Sequence, residues 1–196
     1  MALFDVDKLL QEEKAEVGGF VGEIPEEPSR FFRGGSLKAL QEVLHLPLSP
    51  GYIQYFVSKG DWSHWELVQH LLSHYAPLQL WFSTWSISEL SARKLVDWID
   101  TGMITSVTAL VDYRAKNRHP AAYHLAQNHI AKLRVGSCHA KVTVLRNESI
   151  SITIVGSANW TENPRIETGV ISTNRELGNQ HVAWINEYVQ NGSYDL

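Results

Sequence analysis

The segment 137–170, SCHAKVTVLRNESISITIVGSANWTENPRIETGV, concentrates side chains that can react at phosphorus. His139 and Lys141 stand two residues apart, and so do Ser157 and Asn159. Because side chains alternate between the faces of a strand, the members of each pair project together. A neutral imidazole is a nucleophile, while an ammonium, an amide and a hydroxyl stabilise the negative charge that grows on phosphate oxygens. We therefore expect these four side chains to converge on a phosphate ester.

A carboxylate follows the second pair, because Glu167 lies eight residues after Asn159. A carboxylate that accepts a hydrogen bond from the far nitrogen of an imidazole fixes its tautomer, as it does in catalytic triads. This spacing predicts that Glu167 orients His139. An ordinary strand–loop–strand that carries polar residues remains the alternative at this point.

The rest of the chain alternates between strand and helix patterns, which predicts the elements that must position these groups. Strands are predicted at 52–58, 78–86, 103–113, 142–145 and 150–157. Helices are predicted at 62–75, 87–100, 120–133 and 176–189. This order predicts an α/β fold with a mixed β-sheet flanked by helices on both faces, and functional groups at the strand ends.

The composition is that of a globular chain of 196 residues, 44% hydrophobic and 19% charged, and no run of about 18 apolar residues predicts a transmembrane helix. The single cysteine, Cys138, has no internal disulfide partner, which favours a reducing, cytoplasmic location. Residues 1–28 hold eight of the 21 acidic and two of the 17 basic residues, which predicts an acidic N-terminal arm and a slightly basic domain at 29–196.

His139-x-Lys141, then Gly156-Ser157-x-Asn159, then Glu167 resemble the HKD motif of the phospholipase D superfamily. The resemblance implies a phospholipase D-like fold and a phosphodiesterase that needs neither metal nor cofactor and forms a phosphohistidine. It also implies that Lys141 and Asn159 bind the phosphate with Ser157 in support.

One position departs from the superfamily pattern, because its aspartate falls at 146, where this chain has Arg146. Glu148 is the nearest carboxylate that could substitute. The departure leaves open whether the chain is active.

The chain also has one such motif where the superfamily uses two, one histidine as nucleophile and the other as general acid. We therefore expect a homodimer, similar to small bacterial endonucleases of the superfamily, in which two copies of His139 face each other. A catalytically silent half is the alternative.

Basic residues near the motif indicate the substrate. Arg114, Lys116 and Arg118 fall in a predicted strand-end loop at 112–119, and Arg165 lies within the motif region. Such residues bind a nucleic-acid backbone, unless the loop is simply solvated. Trp85, at the end of another predicted strand, is a candidate for the wall of the cleft.

These observations favour a nuclease. A phospholipid hydrolase or phosphatidyltransferase, with phospholipid as partner, is the enzymatic alternative. A catalytically silent nucleic-acid-binding protein with the same fold is the alternative from another class, and Arg146 is the residue that favours it.

Overall fold

The computed structural model describes residues 20–23, 40–41, 43–58, 60–162 and 165–191. Its strands are β1 Phe20–Glu23, β2 Ile53–Ser58, β3 Leu78–Thr84, β4 Ile104–Asp112, β5 Lys132–Gly136, β6 Val142–Arg146, β7 Ser151–Gly156 and β8 Glu167–Ser172. Its helices are α1 His64–Tyr75, α2 Glu89–Asp100, α3 Tyr113–Arg118, α4 Pro120–His129 and α5 Arg175–Asn191. None of these helices is long and apolar enough to cross a membrane.

The eight strands form one mixed sheet in the order β1-β2-β8-β7-β6-β3-β4-β5. Strands β3, β4 and β5 are parallel, and every other neighbouring pair is antiparallel. As a result, the carboxyl ends of β3, β4, β5 and β7 meet the amino ends of β6 and β8 at one edge, here called the site edge. The far end of the same strands, where β6 ends and β7 begins, is called the opposite edge.

Helices cover both faces of this sheet. Phe82 of β3 stacks on Trp160 with ring centroids 4.5 Å apart, and Trp98 of α2 packs against the same Trp160. The neighbouring Trp81 points the other way, and its Nε1 donates to Asn186 Oδ1 of α5 at 3.2 Å. The predicted fold class, a mixed α/β sheet with helices on both faces, is therefore confirmed.

Local rules explain where α1 begins. Ser63 is the N-cap: its Oγ accepts a hydrogen bond from the backbone N of Glu66, and the Glu66 carboxylate accepts one from the backbone N of Ser63. This reciprocal capping box satisfies amide groups that the first helical turn leaves without partners. The helix consequently starts two residues later than the apolar spacing predicts.

Some elements differ from the sequence prediction. The segment 112–119 is not a loop, because Tyr113–Arg118 form α3 and the Asp112 side chain caps it by accepting from Arg114 N. The helix predicted to reach 133 ends at His129, and Lys132–Gly136 form β5 beside β4. Strand β8 was also not predicted.

Part of the predicted acidic arm belongs to the sheet, because Phe20–Glu23 pair with β2 as strand β1. The remaining residues of the arm, 1–19 and 24–28, lie outside the described residues. The division into an arm at 1–28 and a domain at 29–196 stays a prediction.

Candidate active site at the site edge

His139 and Lys141 lie in the irregular segment that connects β5 to β6. His139 is exposed and Lys141 is half-buried. Lys141 Nζ donates to the His139 carbonyl oxygen at 2.8 Å and lies 3.5 Å from His139 Nδ1. The structure therefore places the ammonium beside the imidazole, although the segment is not the strand from which this proximity was predicted.

Asn159 is held from the neighbouring strand end. Its Oδ1 accepts a hydrogen bond from the backbone N of Trp85 at 3.2 Å and lies 3.3 Å from Thr84 Oγ1. Because a backbone N–H can only donate, the amide atom that faces it is the oxygen. The Asn159 NH₂ group consequently has its two donors available for a ligand, with no partner among the described residues.

Ser157 and Glu167 form a second contact at the same edge. Ser157 Oγ donates to Glu167 Oε2 and accepts from the backbone N of Thr168 at 3.0 Å. Gly156, just before this serine, lies so close to β8 that a Cβ at 156 would come within 2.6 Å of the Thr168 carbonyl oxygen. The Gly-Ser pair therefore locks the end of β7 to the start of β8.

Electrostatics connect this pair to the lysine. Partial burial lowers the pKa of Lys141, while the charges of Cys138, Glu167 and Asp112 act in the opposite direction. Glu167 is thus a neighbour of the ammonium as well as the acceptor for Ser157. Its predicted role in orienting His139 stays a prediction.

Two of the predicted basic residues reach the site through Trp85. The Trp85 ring centroid lies 5.8 Å from that of His139. Arg118 Cζ lies 4.2 Å from the centroid of the Trp85 ring, and Arg114 Cζ lies 5.7 Å from it. Helix α3 therefore presents two guanidinium groups to the tryptophan that neighbours the exposed histidine.

The two remaining basic residues of the prediction are exposed. Lys116 lies on α3 between these two arginines, and Arg165 lies just before β8. The structure gives no contact between either side chain and the His139–Lys141 pair.

Asp112 is a site residue that sequence reasoning missed. Its carboxylate is fully buried at the end of β4. Oδ1 accepts from Arg114 N at 3.0 Å and Nε at 2.9 Å, and Oδ2 accepts from the backbone N of Cys138 at 3.1 Å. Asp112 thus ties α3 to the residue before His139. Its available signal was an N-cap residue directly after an apolar strand.

Arg146 lies at the opposite edge, about 16 Å along β6 from the lysine at 3.3 Å per residue. Its Nη1 donates to Asn179 Oδ1 at 2.9 Å. Glu148 follows in the turn after β6 at the same edge, and whether it substitutes for the motif aspartate stays a prediction. In the described ranges, no group of three His, Cys, Asp or Glu side chains is placed to hold a metal.

A scan against protein-family models and a search of curated proteins find no match to the chain. Among solved structures, Nuc from Salmonella typhimurium, described as a phospholipase D family member, is 21% identical, with 62% of this chain and 83% of that chain covered and a TM-score of 0.49. NucT from Helicobacter pylori is 16% identical, with 61% and 85% covered and a TM-score of 0.47.

A third match is TrmBL2, described as an archaeal chromatin protein with a novel mode of DNA binding. It is 12% identical, with 78% of this chain and 57% of that chain covered and a TM-score of 0.50. At 12% identity the likeness to TrmBL2 is one of fold alone.

Proposed function

We propose that the chain is a metal-independent phosphodiesterase of the phospholipase D superfamily that cleaves nucleic acid in a site shared by two protomers. One observation carries this proposal: an exposed imidazole, His139, has the Lys141 ammonium 3.5 Å from its Nδ1. Asn159, whose Oδ1 is anchored by the backbone N of Trp85, has an NH₂ group available at the same edge. A nucleophile, a cation and an amide donor are the groups that phosphoryl transfer requires.

The proposed reaction has two steps. His139 of one protomer attacks phosphorus and forms a P–N bond, while His139 of the partner subunit protonates the leaving oxygen as the P–O bond breaks. The partner's imidazole, now neutral, then takes a proton from water. The resulting hydroxide attacks phosphorus and forms a P–O bond as the P–N bond breaks, which releases the product and frees His139. Lys141 and Asn159 bind the phosphate oxygens throughout, Ser157 supports them, and Glu167 orients the histidine.

The choice of nucleic acid rests on charge. Arg114 and Arg118 lie over the ring of Trp85, which in turn neighbours His139, and guanidinium groups there can neutralise phosphates of a polyanionic chain. Lys116 and Arg165, both exposed, would extend the same surface. The single cysteine accords with the proposed cytoplasmic location.

Arg146 replaces the motif aspartate, but His139, Lys141 and Asn159 are all still present. This disfavours a catalytically silent protein. Arg146 lies at the opposite edge and bonds Asn179.

The test is cleavage in EDTA of single-stranded DNA, RNA, plasmid and phosphatidylcholine vesicles by the wild-type chain and by His139→Ala. We expect cleavage of nucleic acid that survives chelation and falls by about 10³-fold or more in the variant. Arg146→Ala is the control and should retain activity. Cleavage that requires a divalent ion, or cleavage of the vesicles alone, would contradict the proposal.

The shared site has its own test, in which wild-type chains are mixed with His139→Ala chains and subunit exchange is verified. If both histidines are needed, activity follows roughly the square of the wild-type fraction, so equal mixing leaves about one quarter. A linear fall would mean that each chain works alone.

A further inference from the structure

Arg118, Trp85 and His139 form a layered arrangement at the site edge. The Arg118 guanidinium carbon lies 4.2 Å from the centroid of the Trp85 ring, which is the separation of stacked groups. The indole in turn lies 5.8 Å from the imidazole, tilted by 54°. The layer thus reaches from α3 to the residue that we propose as the nucleophile.

The position of the indole is tied to the site. Trp85 directly follows β3, and its backbone N bonds Asn159 Oδ1, so the ring is placed by the same contact that anchors the candidate phosphate-binding amide. The ring is half-buried, and the arginine above it is exposed. An exposed guanidinium therefore covers the ring that also neighbours the histidine.

The two arginines of α3 differ in their partners. Arg114 forms an ion pair with the buried Asp112 carboxylate, Nε to Oδ1 at 2.9 Å. Arg118 has no carboxylate within ion-pair distance in the part of the chain that the structure describes. An exposed cation–π contact is weak and leaves the guanidinium charged. Arg118 therefore keeps its charge and the outer face of its plane free for a ligand.

Nucleobases stack on arginine planes and on aromatic rings when they are splayed out of a helix. In a duplex both faces of each base are already covered by neighbouring bases. We propose that the layer formed by Arg118 and Trp85 binds one unpaired nucleobase beside the phosphate at His139, which makes single-stranded nucleic acid the preferred ligand. The place of that phosphate rests on the proposed function, whereas the stacking does not require cleavage.

The experiment measures binding of a fluorescent thymidine 12-mer and of a 12-base-pair duplex by anisotropy, in EDTA at near-physiological salt, with the His139→Ala chain. We expect the single strand to bind at least about tenfold more tightly than the duplex. Arg118→Ala and Trp85→Leu, made in this background, should each weaken single-strand binding by about 5- to 100-fold, with duplex binding changed less than about threefold.

Two further variants separate stacking from charge. Arg118→Lys keeps the positive charge and loses the plane, so it should behave like Arg118→Ala. Lys132→Ala removes one exposed charge at the start of β5, at the opposite edge, and should leave both affinities within about twofold. Because Arg118 is exposed, its variants test the stack even if Trp85→Leu perturbs folding.

Equal losses for single strand and duplex in Arg118→Ala would overturn the proposal and make Arg118 a simple phosphate contact. Tighter binding of the duplex, or normal affinity in Arg118→Lys, would also overturn it. Stack-dependent binding by a wild-type chain that cleaves nothing would support this inference and refute the proposed function. Cleavage that is unaffected by the Arg118 and Trp85 variants would support the proposed function and refute this inference.

Discussion

The two edges of the sheet both carry basic side chains, and they differ in what those side chains contact. At the site edge, His139 is exposed, and Arg118 stacks on a ring without a carboxylate partner among the described residues. At the opposite edge, Arg146 donates to Asn179, and Arg175 donates to the carbonyls of Asn147 and Glu148. The charges of the opposite edge are therefore used to hold the structure together.

A cavity at the opposite edge is lined largely by groups that already have partners. It has a volume of about 620 Å³ and is lined by Arg146, Glu148 and Arg175 among others. A recess that is lined by engaged groups has little left to offer a ligand, so the availability of donors and cations is the better guide to function in this molecule.

The largest expected difference between the edges is in catalysis. Lys141→Ala should lower kcat/KM for single-stranded DNA by about 10²- to 10³-fold, because it removes a cation that stabilises charge on the phosphate. Arg146→Ala, which removes a cation of the opposite edge, should change it by less than about twofold. Comparable losses in the two variants would remove the distinction between the edges.

A second contrast concerns two histidines. His64, at the start of α1, is buried with Nε2 2.8 Å from Thr143 Oγ1, and burial lowers its pKa to about 4. In the unfolded chain this histidine has a pKa of about 6.5, so on acidification it binds a proton before the folded His64 does. The buried neutral His64 therefore stabilises the folded state fully above pH 6.5, and this stabilisation is lost as the pH falls toward 4. The free energy of unfolding should fall by about 2–3 kcal/mol between pH 7.5 and 4.5 through this histidine.

Urea unfolding of His64→Gln should show a correspondingly shallower dependence on pH than the wild type. His129→Gln is the control, because His129 is exposed at the end of α4 near the opposite edge. This prediction fails if the two variants keep the same pH dependence.

A smaller effect separates a buried ion pair from an exposed one. Asp112→Asn should lower the free energy of unfolding by about 2 kcal/mol and also lower activity, because it weakens the link between α3 and Cys138. Because Arg114 is half-exposed, this loss of stability should be smaller than that from breaking a fully buried ion pair. Glu89→Gln, which breaks the exposed pair with Arg93, should cost less than about 0.5 kcal/mol. Equal costs would show that Asp112 has no special role.

The placement of the candidate residues at one edge was predictable because they lie close together in sequence and at the ends of neighbouring strands. His139 and Lys141 precede β6, while Ser157 and Asn159 follow β7, and the two strands pair directly. The order of the motif and of the strands is enough to predict this placement, whereas the catalytic roles stay a prediction.

The surroundings of the site depend on contacts between distant residues. The local sequence pattern does not predict that Asp112 accepts a hydrogen bond from the backbone N of Cys138, 26 residues later. Helix α3 has six residues, which is too short for a helical period to be recognised. Strand β8 has a weak pattern of its own and is fixed by pairing with β2 on one side and β7 on the other.

The close approach of Gly156 to β8 has a consequence for how this sequence can diverge. Any side chain at 156 would collide with a backbone carbonyl, which cannot swing away. Opposite it, a Cβ at Gly169 would come within 2.6 Å of the buried ring of Phe56. Selection for folding alone thus preserves both glycines, even in a descendant that has lost its chemistry. Among relatives, the persistence of His139 and Lys141, whose neighbours leave them room to vary, is the evidence that would distinguish a working enzyme from a silent one.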